Sequence, residues 1–128
     1  VSMDKSHLEY AGAHRHLYQL SQGELLEYKG NRKAIGGIPL LKKTEEKFIN
    51  HRVDIQKGDK IFFFSDGLTD QLGGPYGRKY SPKRVRSNIL DNPGHTMPQY
   101  RELFENDFAE WQKGFKQLDD VLMIGIEF

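Results

Sequence analysis

Four bulky apolar residues, Ile61-Phe62-Phe63-Phe64, run directly into Ser65-Asp66-Gly67-Leu68-Thr69-Asp70. Ile and Phe favour strands, and an apolar run without polar alternation marks a strand covered on both faces. Such a strand lies deep in a fold, so the rest of the chain must supply its neighbours and its covers. Asp66 follows at its end. A carboxylate at the mouth of a buried strand is costly unless something pairs with it, and a bound cation is one suitable partner. Gly67 has no Cβ, which permits a sharp turn and the close approach of a ligand. If a helical turn begins at Leu68, Asp70 returns to the side of Asp66. The same residues also suit an ordinary strand-to-helix turn with an Asx cap and a turn glycine, so the motif alone leaves both readings open.

The far end of the chain bears on that choice. Gln117-Leu118-Asp119-Asp120 opens a second apolar run, Val121-Leu122-Met123-Ile124-Gly125-Ile126. One strand is followed by an acid and the other is preceded by acids. In an antiparallel pair the end of one strand lies beside the start of its neighbour. If the runs at 61–64 and 121–126 are neighbours, Asp66 and Asp119 meet at one edge. Two such carboxylates repel unless they share a proton or a cation. Oxygen-only donors suit Mg²⁺ or Mn²⁺.

The chain between these runs reads as further strands and two helices. Leu8 and Tyr10, then Leu17, Tyr18 and Leu20, form two strand pieces about a bend at Ala11-Gly12-Ala13. Ser21-Gln22-Gly23-Glu24 is a hairpin turn leading to a strand over 25–28. Ile35-Gly36-Gly37-Ile38-Pro39-Leu40 reads as a loop crossing the sheet. Phe48–Ile55 and 61–64, joined by the tight turn Gln56-Lys57-Gly58-Asp59, are expected to form an antiparallel hairpin. Residues 72–80 are glycine-rich and read as an irregular, mobile surface flap rather than a phosphate cradle, since no strand–GxxxxGK[ST]–helix pattern is present. Ser81-Pro82 starts a helix carrying Val85, Ile89 and Leu90 on its inner face. A second helix runs from about Met97 to Gln112, where Leu103, Phe104, Phe108 and Trp111 recur at helical spacing as core.

Composition narrows the function classes. With 128 residues, 37% hydrophobic and 29% charged, the chain suits one globular domain with a modest core. Its 19 basic and 18 acidic residues leave a net charge of +1, which gives no support to a nucleic-acid or membrane-surface partner. There is no cysteine, so disulfides and thiolate metal sites are excluded, in keeping with a reducing cytoplasm. No apolar run approaches the roughly 20 residues of a membrane span, and no signal-peptide pattern opens the chain. The abrupt start at Val1-Ser2-Met3 suggests a piece cut from a longer protein.

Taken in order, Ser65-Asp66-Gly67-Leu68-Thr69-Asp70 and Leu118-Asp119-Asp120 resemble the motifs of the SpoIIE/RsbU-type bacterial serine/threonine phosphatases, members of the metal-dependent protein phosphatase type 2C-like superfamily. Tyr10-Ala11-Gly12-Ala13-His14, Ile35-Gly36-Gly37 and Gly58-Asp59 match further motifs of that family, so the resemblance covers nearly the whole chain. It implies an α+β fold of antiparallel β-sheets, half of a two-sheet sandwich, flanked by two helices. It implies a two-metal Mn²⁺ or Mg²⁺ centre where metal-bound water attacks a phosphoserine or phosphothreonine. The family's ligands carry over to Asp66 and Asp119, with Asp70, Asp120 and Gly67 in support. The family's other metal-binding motif, an Asp-x-x-Gly-His-Gly-like segment, is absent, for Gly94-His95 is isolated and misplaced. Residues 1–128 therefore resemble the C-terminal part of a phosphatase domain, incomplete by itself.

Other candidates weigh less. His14 and His16 share a face if they lie in a strand, but no third ligand is in sight, and surface histidines flanking Arg15 are the simpler reading. Arg15, Arg78 and Lys79 are weak candidates for binding substrate phosphate. The expected function is a metal-dependent phosphatase module of a cytoplasmic signalling protein, such as a sensor or two-component protein, whose parent can be membrane-tethered. Its expected substrate is a phosphoprotein, for which the family suggests an anti-sigma-factor antagonist. The alternative is a non-enzymatic regulatory or protein-binding module that keeps the half-fold. A half-domain also leaves 61–64 and 121–126 short of neighbours, with Phe62, Phe63, Phe64, Leu122, Ile124 and Phe128 facing water or an open edge, so a homo-oligomer is expected.

Overall fold

The computed structural model describes residues 1–32 and 47–128. The expected loop at Ile35-Gly36-Gly37 lies outside them. The apolar run forms strand β5 (Lys60–Phe64), which sits inside an antiparallel four-stranded sheet. Its neighbours are β2 (Leu17–Ser21) and β8 (Met123–Glu127), and β3 (Glu24–Tyr28) lies beyond β2. The β2–β3 hairpin turns through Gln22 and Gly23, both at positive φ (50° and 80°), the mirror-type turn that matches strand twist. A second sheet pairs β1 (His7–Tyr10) with β4 (His51–Asp54), also antiparallel.

Side chains alternate across β2 and β5, so the four-stranded sheet buries both faces. Leu17 and Ile61 pack with Leu8, Val53 and Ile55, forming a core between the two sheets. Tyr18, Leu20 and Phe62 point the other way, toward the helices. There they meet Val85 and Ile89 of α2 (Ser81–Leu90) and Tyr100 and Phe104 of α3 (Met97–Gln112). Tyr18 stacks on Phe64 at 5.5 Å, and Phe62 meets Tyr100 edge-on at 5.1 Å. Each such pair adds about 0.5–1.5 kcal/mol beyond the area it buries. The architecture is α+β with antiparallel sheets, as expected, and has one helix more than expected among the described residues: the short α1 (Asp66–Asp70).

Four expectations need correction. The segment 48–64 is no hairpin, because β4 and β5 belong to different sheets. The Gln56–Asp59 turn exists, but it is tied to the end of β8: the Gly58 N–H donates to the Phe128 carbonyl at 2.6 Å, and the Phe128 N–H donates to the Asp59 carbonyl at 3.0 Å. Val53 and Ile55 are drawn instead to Leu8 in the inter-sheet core. The glycine-rich flap is not irregular either. It holds a small hairpin, β6 (Leu72–Gly73) with β7 (Arg78–Lys79), docked on α3, where the Gly74 N–H donates to the Trp111 carbonyl at 2.9 Å. Leu90 is turned outward and exposed, since its neighbour Ile89 takes the inner position. Finally, β5 has both neighbours and Phe62 is buried, so the expected bareness of 61–64 does not hold; of the two apolar strands β5 and β8, β8 is the one at a sheet edge among the described residues.

Candidate functional site

The fold brings the two acidic motifs together through the pairing of β5 with β8, in which Phe64 faces Met123. Beyond that last rung the contact continues. The Ser65 N–H donates to the Leu122 carbonyl at 2.9 Å. The Ser65 hydroxyl donates to the Asp120 carbonyl at 3.1 Å and accepts from the Leu122 N–H at 3.0 Å. Next to it a Cβ on Gly67 would stand 2.0 Å from the Asp120 carbonyl oxygen, so only glycine lets the two segments lie this close. The glycine read as room for a ligand is thus taken up by the backbone of the second acidic motif.

The side chains have separate partners. Asp66 opens α1 and forms an ion pair with Arg15, Nη2 to Oδ2 at 2.6 Å, both groups half exposed. Asp70 closes the same helical turn and pairs with Lys79 at 2.9 Å. Asp119 Oδ1 accepts the Asp120 N–H at 2.7 Å. Arg78 lies 5.8 Å over the exposed Tyr76 ring. Two of the three suggested phosphate-binding cations are therefore held by acids of the first motif.

Arg15 owes its place to the Tyr10-Ala11-Gly12-Ala13-His14 bend. The Tyr10 hydroxyl donates to the Arg15 carbonyl at 2.6 Å, and the bend is closed by His14 N–H to Asn31 carbonyl and Asn31 N–H to Gly12 carbonyl bonds, both 2.7 Å. Burial raises the Tyr10 hydroxyl pKa, which keeps it a donor, although Arg15 pulls it the other way. His14 (φ 57°) lies in this bend, not in a strand, and His16 Nδ1 meets Glu27 Oε1 at 2.5 Å, so the two histidines do not share a strand face. Burial opposes ionisation of Glu27, but hydrogen bonds from His16 and Tyr18 outweigh it and hold the carboxyl below its ordinary range. Arg15, Ser65, Asp66 and Thr69 line a shallow cavity of about 100 Å³ walled by Tyr18 and Phe64.

These residues fit a hard divalent cation in donor type, all being carboxylate or carbonyl oxygens on adjoining segments. They fit only in part by number: among the described residues no group of three or more His, Cys, Asp or Glu side chains is placed to hold a metal. Sequence reasoning missed Gln71 and the double role of the Ser65 hydroxyl. Ser65 was at least flagged by its place at the strand end, but nothing in the local pattern distinguishes Gln71 from a surface polar residue.

Comparison with known proteins agrees with this fold. Of solved structures, the chain is similar to the SiaA-PP2C domain of Pseudomonas aeruginosa, with 30% identity and a TM-score of 0.84 over 97% of this chain and 47% of that one. It shares its fold, at 16% identity and a TM-score of 0.54, with PppA, a key regulatory component of T6SS in Pseudomonas aeruginosa, over 95% of this chain and 52% of that one. The chain thus spans about half the length of the structures it matches. No curated protein matches it. A family model described as Stage II sporulation protein E (SpoIIE) matches residues 1–128, and on that match over its whole length the chain belongs to the SpoIIE family.

Proposed function

We propose that the chain is the C-terminal part of a metal-dependent serine/threonine phosphatase domain in a bacterial signalling protein. The observation that carries this reading is the β5–β8 pairing, which lays Ser65-Asp66-Gly67 against Asp119-Asp120. In this reading Asp66 and Asp119 hold Mn²⁺ or Mg²⁺, Gly67 lets their segments meet, and Asp70 and Asp120 add negative charge nearby. A divalent cation so held supplies positive charge that activates water and neutralises phosphoryl oxygens. Arg15, released from Asp66 or shared with it, meets the substrate phosphate, and Arg78 and Lys79 add positive charge from the flap. The remaining ligands come from outside this chain, in keeping with its span of about half the SiaA-PP2C chain. The substrate is a phosphoprotein, with an anti-sigma-factor antagonist as the first one to try, and the setting is cytoplasmic.

The intact parent is expected to hydrolyse phosphoserine or phosphothreonine peptides with Mn²⁺, and Asp66→Asn to remove most of that activity by removing a ligand charge. Undiminished turnover by Asp66→Asn at limiting metal would contradict the assignment. The 128-residue chain alone is expected to show no substantial turnover. Robust Mn²⁺-dependent activity of the chain alone, lost in Asp119→Ala, would overturn its incompleteness.

A second reading is a regulatory or protein-binding module without chemistry. It is favoured by the engagement of Asp66 and Asp70 with Arg15 and Lys79, which neutralises both acids internally. An intact parent that binds no Mn²⁺ would select it.

A further inference from the structure

Gln71 follows α1 as its C-cap and is fully buried. A buried amide must have its donors and its acceptor met, or it costs about 1–3 kcal/mol. Here they are met across the fold. Nε2 donates to the Leu72 carbonyl at 3.0 Å and to the Lys116 carbonyl at 2.9 Å. Oε1 accepts the Leu118 N–H at 3.4 Å. The backbone carbonyl of the same residue accepts the Tyr80 N–H at 2.8 Å and Trp111 Nε1–H at 3.3 Å. One residue thus ties the end of α1 to the start of α2, to α3, and to the loop that runs into Asp119.

That loop has two anchors. Downstream of Asp119, Ser65 holds the Asp120 carbonyl and the Leu122 N–H. Upstream of it, Gln71 holds Lys116 and Leu118. The other hydrogen bonds at Asp119 are local: Gln117 Nε2 donates to its carbonyl at 2.9 Å, and its own carboxylate accepts the next N–H. Hydrogen bonds are directional where apolar contacts are not, so the Gln71 amide sets the height and rotation of the strap on which Asp119 rides. We infer that Gln71 is a positioning residue that holds Asp119 in register with Asp66 for a shared divalent cation. The inference rests on the phosphatase reading above. Gln71 touches neither carboxylate and acts through the loop backbone.

The test is Mn²⁺ titration calorimetry on the intact parent, with a melting curve for each variant and turnover of a phosphoserine peptide as a second readout. Gln71→Leu keeps the volume and removes the hydrogen bonds. It is expected to weaken Mn²⁺ binding by about tenfold or more, the usual cost of losing a group that orients a metal ligand, and to leave KM for the peptide unchanged at saturating Mn²⁺. Gln71→Asn keeps the amide on a shorter arm, folds if the leucine variant does not, and is expected to lose affinity by a smaller factor. Wild-type Mn²⁺ affinity in a folded Gln71→Leu or Gln71→Asn variant overturns the inference and leaves the phosphatase reading intact. An unsubstituted parent that binds no Mn²⁺, or binds it equally well as Asp66→Asn, overturns the phosphatase reading and the inference with it.

Discussion

A methyl group on Gly67 would collide with the Asp120 carbonyl oxygen 2.0 Å away, and that atom is backbone, which cannot swing aside as a flexible side chain can. Gly67→Ala must therefore separate the two acidic segments. It is expected to destabilise the fold by about 2 kcal/mol, as overpacking does, in a denaturant melt. On the phosphatase reading it should also weaken Mn²⁺ binding, whereas Gly23→Ala, where the added Cβ meets nothing, should disturb only its own turn. A second residue-scale expectation concerns Asp107 on α3. Arg84 forks onto it, Nε to Oδ2 at 2.9 Å and Nη2 to Oδ1 at 2.6 Å, while Tyr80 and Asn88 donate to Oδ2 at 2.5 and 2.9 Å. Burial would raise this carboxyl, but the hydrogen bonds from Arg84, Tyr80 and Asn88 outweigh it and hold it at about 2, below the ordinary 3.8. The unfolded chain thus takes up the proton first as pH falls. The stability from this group is complete above about pH 4 and lost toward pH 2, about 1–2 kcal/mol after allowance for solvent screening. Asp107→Asn should flatten that part of an acid-unfolding curve; an unchanged curve would count against it. Among residues, the approach of the Asp66 and Asp119 segments was legible because strand direction alone implies it. The Arg15–Asp66 and Lys79–Asp70 pairs were not, since charge type does not say which of many acids a base will reach across the fold.

Helix α3 carries its own start signal. The Thr96 hydroxyl accepts the Gln99 N–H at 3.4 Å, and the Gln99 side chain accepts the Thr96 N–H at 2.9 Å, a reciprocal capping box followed by Pro98 in the first turn. Thr96→Ala is expected to cost about 1 kcal/mol, read as a lower denaturation midpoint at unchanged slope. A change in slope instead would mean that the cap governs more than one helix end. The elements legible in the sequence were those whose period is long or whose punctuation is strong. Helix α3 shows its apolar stripe over 16 residues, and the β2–β3 hairpin is marked by Gln22-Gly23. Sheet membership was not legible. A tight turn between two apolar runs looks the same whether the runs pair with each other or lead to different layers. Here the inter-sheet core of Leu8, Val53 and Ile55 decides, and its members are far apart in sequence. The flap misled for a related reason: Gly73 and Gly74 signal conformational freedom, and in the fold that freedom is used to lie flat on Trp111.

At the scale of the whole molecule, β8 is one of the two edges of the four-stranded sheet among the described residues, with β5 on one side only and β3 at the far edge. Beside it, between β8 and α3, lies a cavity of about 770 Å³ lined mainly by apolar groups, among them Leu68, Met97, Phe104, Phe108, Val121 and Met123. Ile126 on this strand and Leu122 just before it are exposed. Among the described residues no helix is long and apolar enough to cross a membrane. An unpaired strand next to an apolar cleft recruits another strand, and each Å² of apolar surface removed from water contributes roughly 25 cal/mol. In the SiaA-PP2C chain, about half of the polypeptide lies outside the stretch matched here. A second copy can supply a pairing strand, and a symmetric dimer is the commonest closed solution. The net charge of +1 does little to oppose it. The chain alone is therefore expected to self-associate through β8, giving at least twice the monomer mass in light scattering. Ile126→Lys places a charge on the exposed side of that edge and should return the chain to a monomer with its fold intact. The longer parent should be indifferent to Ile126→Lys in self-association if its own polypeptide covers the strand. A wild-type chain that is monodisperse and monomeric at tens of micromolar, with well-dispersed amide resonances, would show instead that α3 and its neighbours cover this edge within one chain.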